Sequence, residues 1–354
     1  MEINIIAPIN QLGYGQVGLH VTDELMKLGH RVALFPINTN NIEAHPRYHG
    51  MLQHAIGNKN TFDVNAPCIR IWHQNDMAQF VGKGKHIGFP IFELDTFTDL
   101  EKHHLRSCDQ LFVCSEWAKN VVMDNLGRNY GNGGCEVVPL GVDLNVFYPS
   151  LSRRKPTVFL NVGKWEVRKG HDFLHNAFKI AFQDTDNVEL WMMCDNPFCN
   201  QEQKEGWERL YNDHRIRLIP RVQTDEQVAD VMRQADCGVF PSRGEGWNLE
   251  ALEMLSCGKQ LIVTDYSAHT EFCTKENSHL VSIGGVEPAQ DGVWFHGQGN
   301  WAMIEDTSMN ELIKHMQYVH KVKQEGGLEL NKAGIETANK FSWTHTADSI
   351  ISCL

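Results

Sequence analysis

Phe240-Pro241-Ser242-Arg243-Gly244-Glu245-Gly246-Trp247-Asn248-Leu249-Glu250-Ala251-Leu252-Glu253 is the stretch from which the fold is read. It follows directly from Gly238–Phe240, short and apolar, as a strand buried on both faces is. Gly244 and Gly246 mark a turn. Asn248 is a good N-cap residue, so a helix is expected from about that position. Strand, glycine turn and helix form the unit of a parallel sheet covered by helices.

The same unit recurs in both directions. Leu261–Thr264 follows as a strand, and Thr157–Val162, Val188–Cys194 and Ile216–Pro220 precede it, with helices at Asp172–Phe182, Asp225–Ala235 and Leu249–Cys257. Ser150–Pro156 (SLSRRKP) is a polar, basic break. Before it come strands at Ile3–Pro8, Val32–Ile37, Cys68–His73, Ile87–Phe92, Gln110–Cys114 and Val137–Leu140, and helices such as Val17–Leu28, Phe97–Arg106 and Glu116–Asn125. The expectation is an α/β chain of two doubly wound, Rossmann-like domains, residues 1–150 and 151–341. Ligands of such sheets bind outside the carboxyl ends of the strands, here at the cleft between the domains. The glycine-rich stretch Gly284–Trp301 is expected to be a surface loop, with helical pattern over 310–339 and a last short helix in the tail.

The bulk numbers fit this reading. A chain of 354 residues is too long for one core. With 32 Lys+Arg against 44 Asp+Glu the formal charge is −12, which disfavours nucleic-acid or anionic-membrane docking. The 10 cysteines form no CxxC pair, as expected of reduced thiols in a cytoplasmic protein. No stretch has the roughly 18 apolar residues of a membrane span, and the chain opens on a strand pattern with no signal-peptide character.

Gly13, Gly15 and Gly18 spell G-x-G-x-x-G between a strand and a helix. A dinucleotide site would want an acidic residue at the end of the next strand, and Phe35-Pro36-Ile37-Asn38 has none. Two readings stay open: close approach of a ligand phosphate or sugar at a helix N-terminus, or a structural turn.

Glu245 sits at the mouth of the helix, and Glu253 lies about 7.5 Å further along its axis. Two carboxylates so placed can hold hydroxyls on either side of a diphosphate bound at the helix's free N–H groups, which is the layout of a nucleoside-diphosphate sugar. The alternative for Glu253 is a solvated helix glutamate. In Asn161-Val162-Gly163-Lys164-Trp165-Glu166-Val167-Arg168-Lys169-Gly170, cations follow the end of a strand. Lys164 and Lys169 can neutralise a diphosphate, and Arg168 reads equally well as a surface charge. Asp184-Thr185-Asp186 precedes a strand, the wrong edge for a metal-binding D-x-D. His171 and His175 lack a third ligand, so no metal is expected.

Together these residues resemble glycosyltransferase family 4, whose members are retaining enzymes of the GT-B fold, two Rossmann-like domains facing a central cleft. Glu245 and Glu253 match its E-x7-E motif, and Phe240-Pro241-Ser242 with Glu245-Gly246 its lead-in. Val137–Asp143 (VVPLGVD) matches the end of its first domain, Gly163-Lys164…Lys169-Gly170 its phosphate clamp, and Phe341-Ser342-Trp343 the start of the helix, 342–354, that crosses back to the first domain. The matches run in order along nearly the whole chain.

The resemblance implies roles. Glu253 would bind ribose hydroxyls and Glu245 the donor sugar. The amides of Gly246, Trp247, Asn248 and Leu249 would meet sugar hydroxyls or phosphate. Lys164 and Lys169 would clamp the diphosphate, Gly15 would pass close to it, and His73 would stand near the reacting carbon. Lys164 departs from the usual Arg, which puts bidentate phosphate binding in doubt. Asn248 departs from a common Gly. The reaction implied is metal-independent sugar transfer from a UDP-sugar to an acceptor hydroxyl of a saccharide, small molecule or modified DNA base. The last acceptor rests on His73-Gln74-Asn75-Asp76 and Gly88–Asp95, which resemble segments of phage transferases acting on hydroxymethylated cytosine in a host cytoplasm. A binding protein that keeps Glu253 and the lysines without chemistry is the rival from another class.

Overall fold

The computed structural model describes residues 1–38, 42–127 and 134–354. The chain forms two units, one of Met1–Gly141 with Phe341–Leu354 and one of Val142–Lys340.

In the first unit the elements are β1 (Glu2–Ala7), α1 (Gly13–Lys27), β2 (Arg31–Pro36), α2 (His49–Asn58), β3 (Cys68–Trp72), β4 (His86–Pro90), α3 (Asp99–Arg106), β5 (Gln110–Val113), α4 (Glu116–Leu126) and β6 (Cys135–Val137). The strands are parallel in the order β2-β1-β3-β4-β5-β6. Ile3, Ile5, Ile69, Ile71, Ile87 and Phe89 are fully buried, which is why these strands read as continuous apolar runs.

The second unit holds β7 (Thr157–Gly163), α5 (His171–Ala181), β8 (Val188–Cys194), α6 (Gln201–Leu210), β9 (Ile216–Leu218), α7 (Asp225–Gln234), β10 (Cys237–Phe240), α8 (Leu249–Ser256), β11 (Gln260–Thr264), α9 (His269–Phe272), β12 (His279–Val281), β13 (Val286–Gln290), β14 (His296–Ala302), α10 (Asp306–Gln324) and α11 (Lys332–Ala338). Its parallel sheet runs β12-β11-β10-β7-β8-β9. α12 (Trp343–Cys353) belongs to the first unit, where Trp343 stacks on His20 at 4.8 Å and the Thr346 hydroxyl donates to Pro139 O.

Three expectations are corrected. Val142–Ser150, read as the end of the first domain, belongs to the second unit: Ser150 N–H donates to Cys257 O, and the Ser256 hydroxyl to Phe147 O. Gly284–Trp301 is no loop but largely the antiparallel hairpin β13–β14. Buried Ala289, Trp301 and Ala302 seat it, and its glycines mask the strand pattern. Finally, α1 starts at Gly13, not Val17, so all three glycines lie within its first two turns. A Cβ on Gly15 would lie 2.3 Å from Asn10 O, and one on Gly18 2.4 Å from Pro8 O. At Gly15 and Gly18 the chain's own turn occupies that space, so the backbone alone requires glycine there, while the space beside Gly13 is open.

Candidate functional site

The carboxyl edge of the second sheet is where β7 and β10 release their loops. Loop 164–170 leaves β7 and turns into α5 at Gly170. Gly170 has φ +77°, and a Cβ there would lie 2.5 Å from Pro241 O. Only glycine permits this contact. It clasps loop 164–170 to loop 241–248, and Arg243 strengthens the clasp. Its N–H donates to Arg168 O at 2.6 Å, and its guanidinium grips Asp172 at 2.8 and 2.9 Å.

The clasp brings five charged side chains into one network. Lys164 Nζ lies 2.8 Å from Glu166 Oε1. Arg168 donates to Glu166 Oε2 through Nε (3.0 Å) and Nη2 (2.7 Å), and through Nη1 to Glu245 Oε2 (2.9 Å) and Gly244 O (2.6 Å). Lys169 Nζ donates to Glu245 Oε1 at 3.0 Å, and the Ser242 hydroxyl to the same oxygen at 2.7 Å. Arg168, Lys169, Glu166 and Glu245 are buried, and Lys164 is 37 % exposed. Three cations against two carboxylates leave one net positive charge.

Burial alone would raise the pKa of Glu166. Arg168 and Lys164 outweigh it and hold the carboxyl down to about 2. Burial is likewise outweighed at Glu245, by Lys169 and Arg168, which hold it below the usual carboxylate range. For Lys169, burial lowers the pKa, but Glu245 and Glu250 raise it further. Glu166, Glu245 and Lys169 all stay ionised at neutral pH. Behind them, His171 Nδ1 accepts the Glu166 N–H, and Nε2–H donates to Asn161 Oδ1 at 2.9 Å. Burial and then Lys169 push its pKa down to about 3, so the ring is neutral.

Asn248 caps α8 as expected, its Oδ1 accepting from Ala251 N–H at 3.1 Å. Its φ of +80° explains why glycine suits this position. Its amide Nδ2 is spent internally, against His269 Nε2 at 2.8 Å. The main-chain N–H groups of Gly246, Asn248, Leu249 and Glu250 have no hydrogen-bond partner among the described residues. Trp247 is buried with its ring 5.0 Å from Phe272. Free amides at a helix N-terminus beside a net positive cluster are the elements from which an anion site is built.

Glu253 is half-buried one turn deeper in α8, and its carboxylate has no hydrogen bond or ion pair among the described residues. Burial, Glu250 and Asp225 push its pKa well above the usual value. The two glutamates of the pair are therefore unlike: Glu245 is neutralised by cations and Glu253 is open to a donor such as a hydroxyl.

The other expected residues lie on other elements. His73 is exposed beyond the carboxyl end of β3, its Nδ1 3.1 Å from the Tyr14 hydroxyl, and Gly15 lies in α1; both belong to the first unit. Arg168, read equally as a surface charge, proves to be the buried centre of the network, with Glu166 beside it. The alternation Lys164-x-Glu166-x-Arg168 was the available signal. Asp184 is 84 % exposed at the amino end of β8, on the edge away from the site. Among the described residues no group of His, Cys, Asp or Glu is placed to hold a metal ion, and no helix is long and apolar enough to cross a membrane.

Comparison with known proteins shows what the chain is similar to. The family Glycosyl transferases group 1 matches residues 156–291, which contain the whole network and α8. Mannosylfructose-phosphate synthase of Agrobacterium fabrum is 24 % identical over 227 residues, covering 56 % of this chain and 49 % of that one. D-inositol 3-phosphate glycosyltransferase of Mycolicibacterium smegmatis is 26 % identical over 245 residues, 64 % and 48 % of the two chains. The chain thus spans about half the length of these curated relatives. Among solved structures, HepE of Anabaena, crystallised with UDP and glucose, superposes over 99 % of this chain and 98 % of its own at a TM-score of 0.70 and 14 % identity. Residues 156–291 are a glycosyltransferase group 1 domain, carried in a chain of GT-B fold.

Proposed function

We propose that the chain is a retaining glycosyltransferase that moves a sugar from a nucleoside-diphosphate sugar, with UDP as the base-bearing half, to an acceptor hydroxyl without a metal. The observation that carries this is the net positive network abutting the free amides of α8. Departure of the diphosphate builds negative charge on its oxygens, and preorganised cations and amides oppose that charge. Lys164 and Lys169 stand opposite the leaving group, Gly246, Asn248 and Leu249 offer amides, and Glu253 accepts from ribose hydroxyls. Glu245 serves by holding Arg168 and Lys169 in place, and its contact with the donor sugar follows from the family resemblance. Retention, and the roles of Trp247, His73 and Gly15, follow from the family resemblance.

The test is thermal shift against UDP-, GDP-, ADP- and dTDP-sugars, with NAD as control. A rise with a UDP-sugar is expected, since ligand binding to the native state raises Tm. Glu253→Ala should abolish that rise; an unchanged shift would remove the ribose role. EDTA should leave turnover intact, and strong inhibition would overturn the metal-free scheme. A shift with NAD alone would end the transferase reading.

A further inference from the structure

Two large aromatic side chains stand exposed beside the anion site. Phe198, in the loop after β8, is 59 % exposed, and Trp294, at the tip of hairpin β13–β14, is 45 % exposed. Their ring centroids lie 6.0 Å apart at 76°, and Lys164 Nζ lies 5.8 Å from the Phe198 ring centroid.

Neither is on a loose segment. The hairpin tip is wound around Asp291, whose Oδ1 accepts from the N–H groups of Val293, Trp294 and Phe295 at 2.8, 2.8 and 2.9 Å. The Gln298 side chain closes the turn by donating to Trp294 O at 3.3 Å. Phe198 N–H donates to Asn196 Oδ1 at 3.0 Å, and the fully buried Asn196 donates in turn to Trp165 O, next to Lys164. Two large aromatic rings carried into water on hydrogen-bonded turns, where they bury little, suit a ligand surface.

We propose that Phe198 and Trp294 form a two-walled aromatic platform for the base of the donor nucleotide, which stacks on the face of one ring and meets the other, at 76° to it, edge-on. A nucleotide carries a flat aromatic ring close to a phosphate, and the platform carries aromatic rings close to the partly exposed ammonium of Lys164. Stacking on aromatic side chains is the sequence-tolerant way to hold a base. The net charge of −12 favours a single nucleotide over a nucleic-acid strand. The inference rests on the function proposed above and assigns to the hairpin, outside the parallel sheet, the recognition of the donor's base.

Calorimetry on the full chain tests it, with UDP, pyrophosphate, glucose 1-phosphate and oligo(dT) as probes. The hydrogen bonds of Trp294 at the turn are made by its main chain, so Trp294→Ala should keep the wild-type Tm. Phe198→Ala is the second variant. Each should weaken UDP about tenfold, toward the low end of base–aromatic stacking, and leave pyrophosphate unchanged. Wild-type affinity for UDP in both variants would overturn the platform while leaving the transferase reading intact. A loss confined to glucose 1-phosphate or to oligo(dT) would overturn its assignment to the donor's base. A wild-type chain that binds no nucleoside diphosphate would remove the transferase reading, and the platform with it.

Discussion

Glu245 and Glu253 stand eight positions apart yet meet opposite electrostatics, and pH should expose the difference. Glu245 and Glu166 have depressed pKa values in the folded state. Their contribution to stability is present above the ordinary carboxylate value of 4.5 and is lost as pH falls toward about 2. The raised pKa of Glu253 acts in the other sense, so its contribution is present in acid and lost as pH rises through the folded value. Glu253→Gln should therefore raise Tm at neutral pH while weakening nucleotide binding, the trade common at functional sites. Glu245→Ala should do the reverse to stability. It strands two buried cations, a loss of about 3–5 kcal/mol, which urea unfolding at pH 7 would register. A Glu245→Ala chain as stable as wild type would mean that the network is not the support it is taken to be.

Among the elements, the turn into α5 and the cap of α8 carry the site. Gly170→Ala has to place a Cβ in left-handed backbone, at about 1–2 kcal/mol, and against Pro241 O besides. It should lower both stability and nucleotide affinity, because the clasp between the two site loops opens. Asn248→Gly should cost only a few tenths of a kcal/mol as a cap, while Asn248→Ala adds the left-handed strain. Chemical denaturation of the three variants checks the order. The strands of the first and second sheets were legible because burial on both faces writes an apolar run. Hairpin β13–β14 was not, because Gly297 and Gly299 interrupt the pattern and its buried residues sit against loop 241–244 rather than in the sheet. The hairpin joins that loop through Ala302 N–H to Arg243 O.

For the whole molecule, the chain's two ends belong to one unit. Trp343 is buried on α1, with His20 stacked on it and Gly141 so close that a Cβ would lie 2.1 Å from Trp343 N. Trp343→Ala should cost about 3–5 kcal/mol as a large buried truncation, and removal of 341–354 should unfold the first unit. Proteolysis that still spares residues 1–127 after the truncation would contradict this.

By itself the sequence determined the two α/β domains, the cap at Asn248, the helix bearing Glu253 and the cationic loop after β7, because each is written in local periodicity or in neighbouring residue types. The tertiary structure decided which charges are partners. That Arg168 is buried rather than solvated, that Glu245 is consumed by cations while Glu253 is not, and that Phe198 meets Trp294 all depend on contacts between residues some 77 to 96 positions apart. Coulomb energy and desolvation act through space, and no spacing along the chain encodes them.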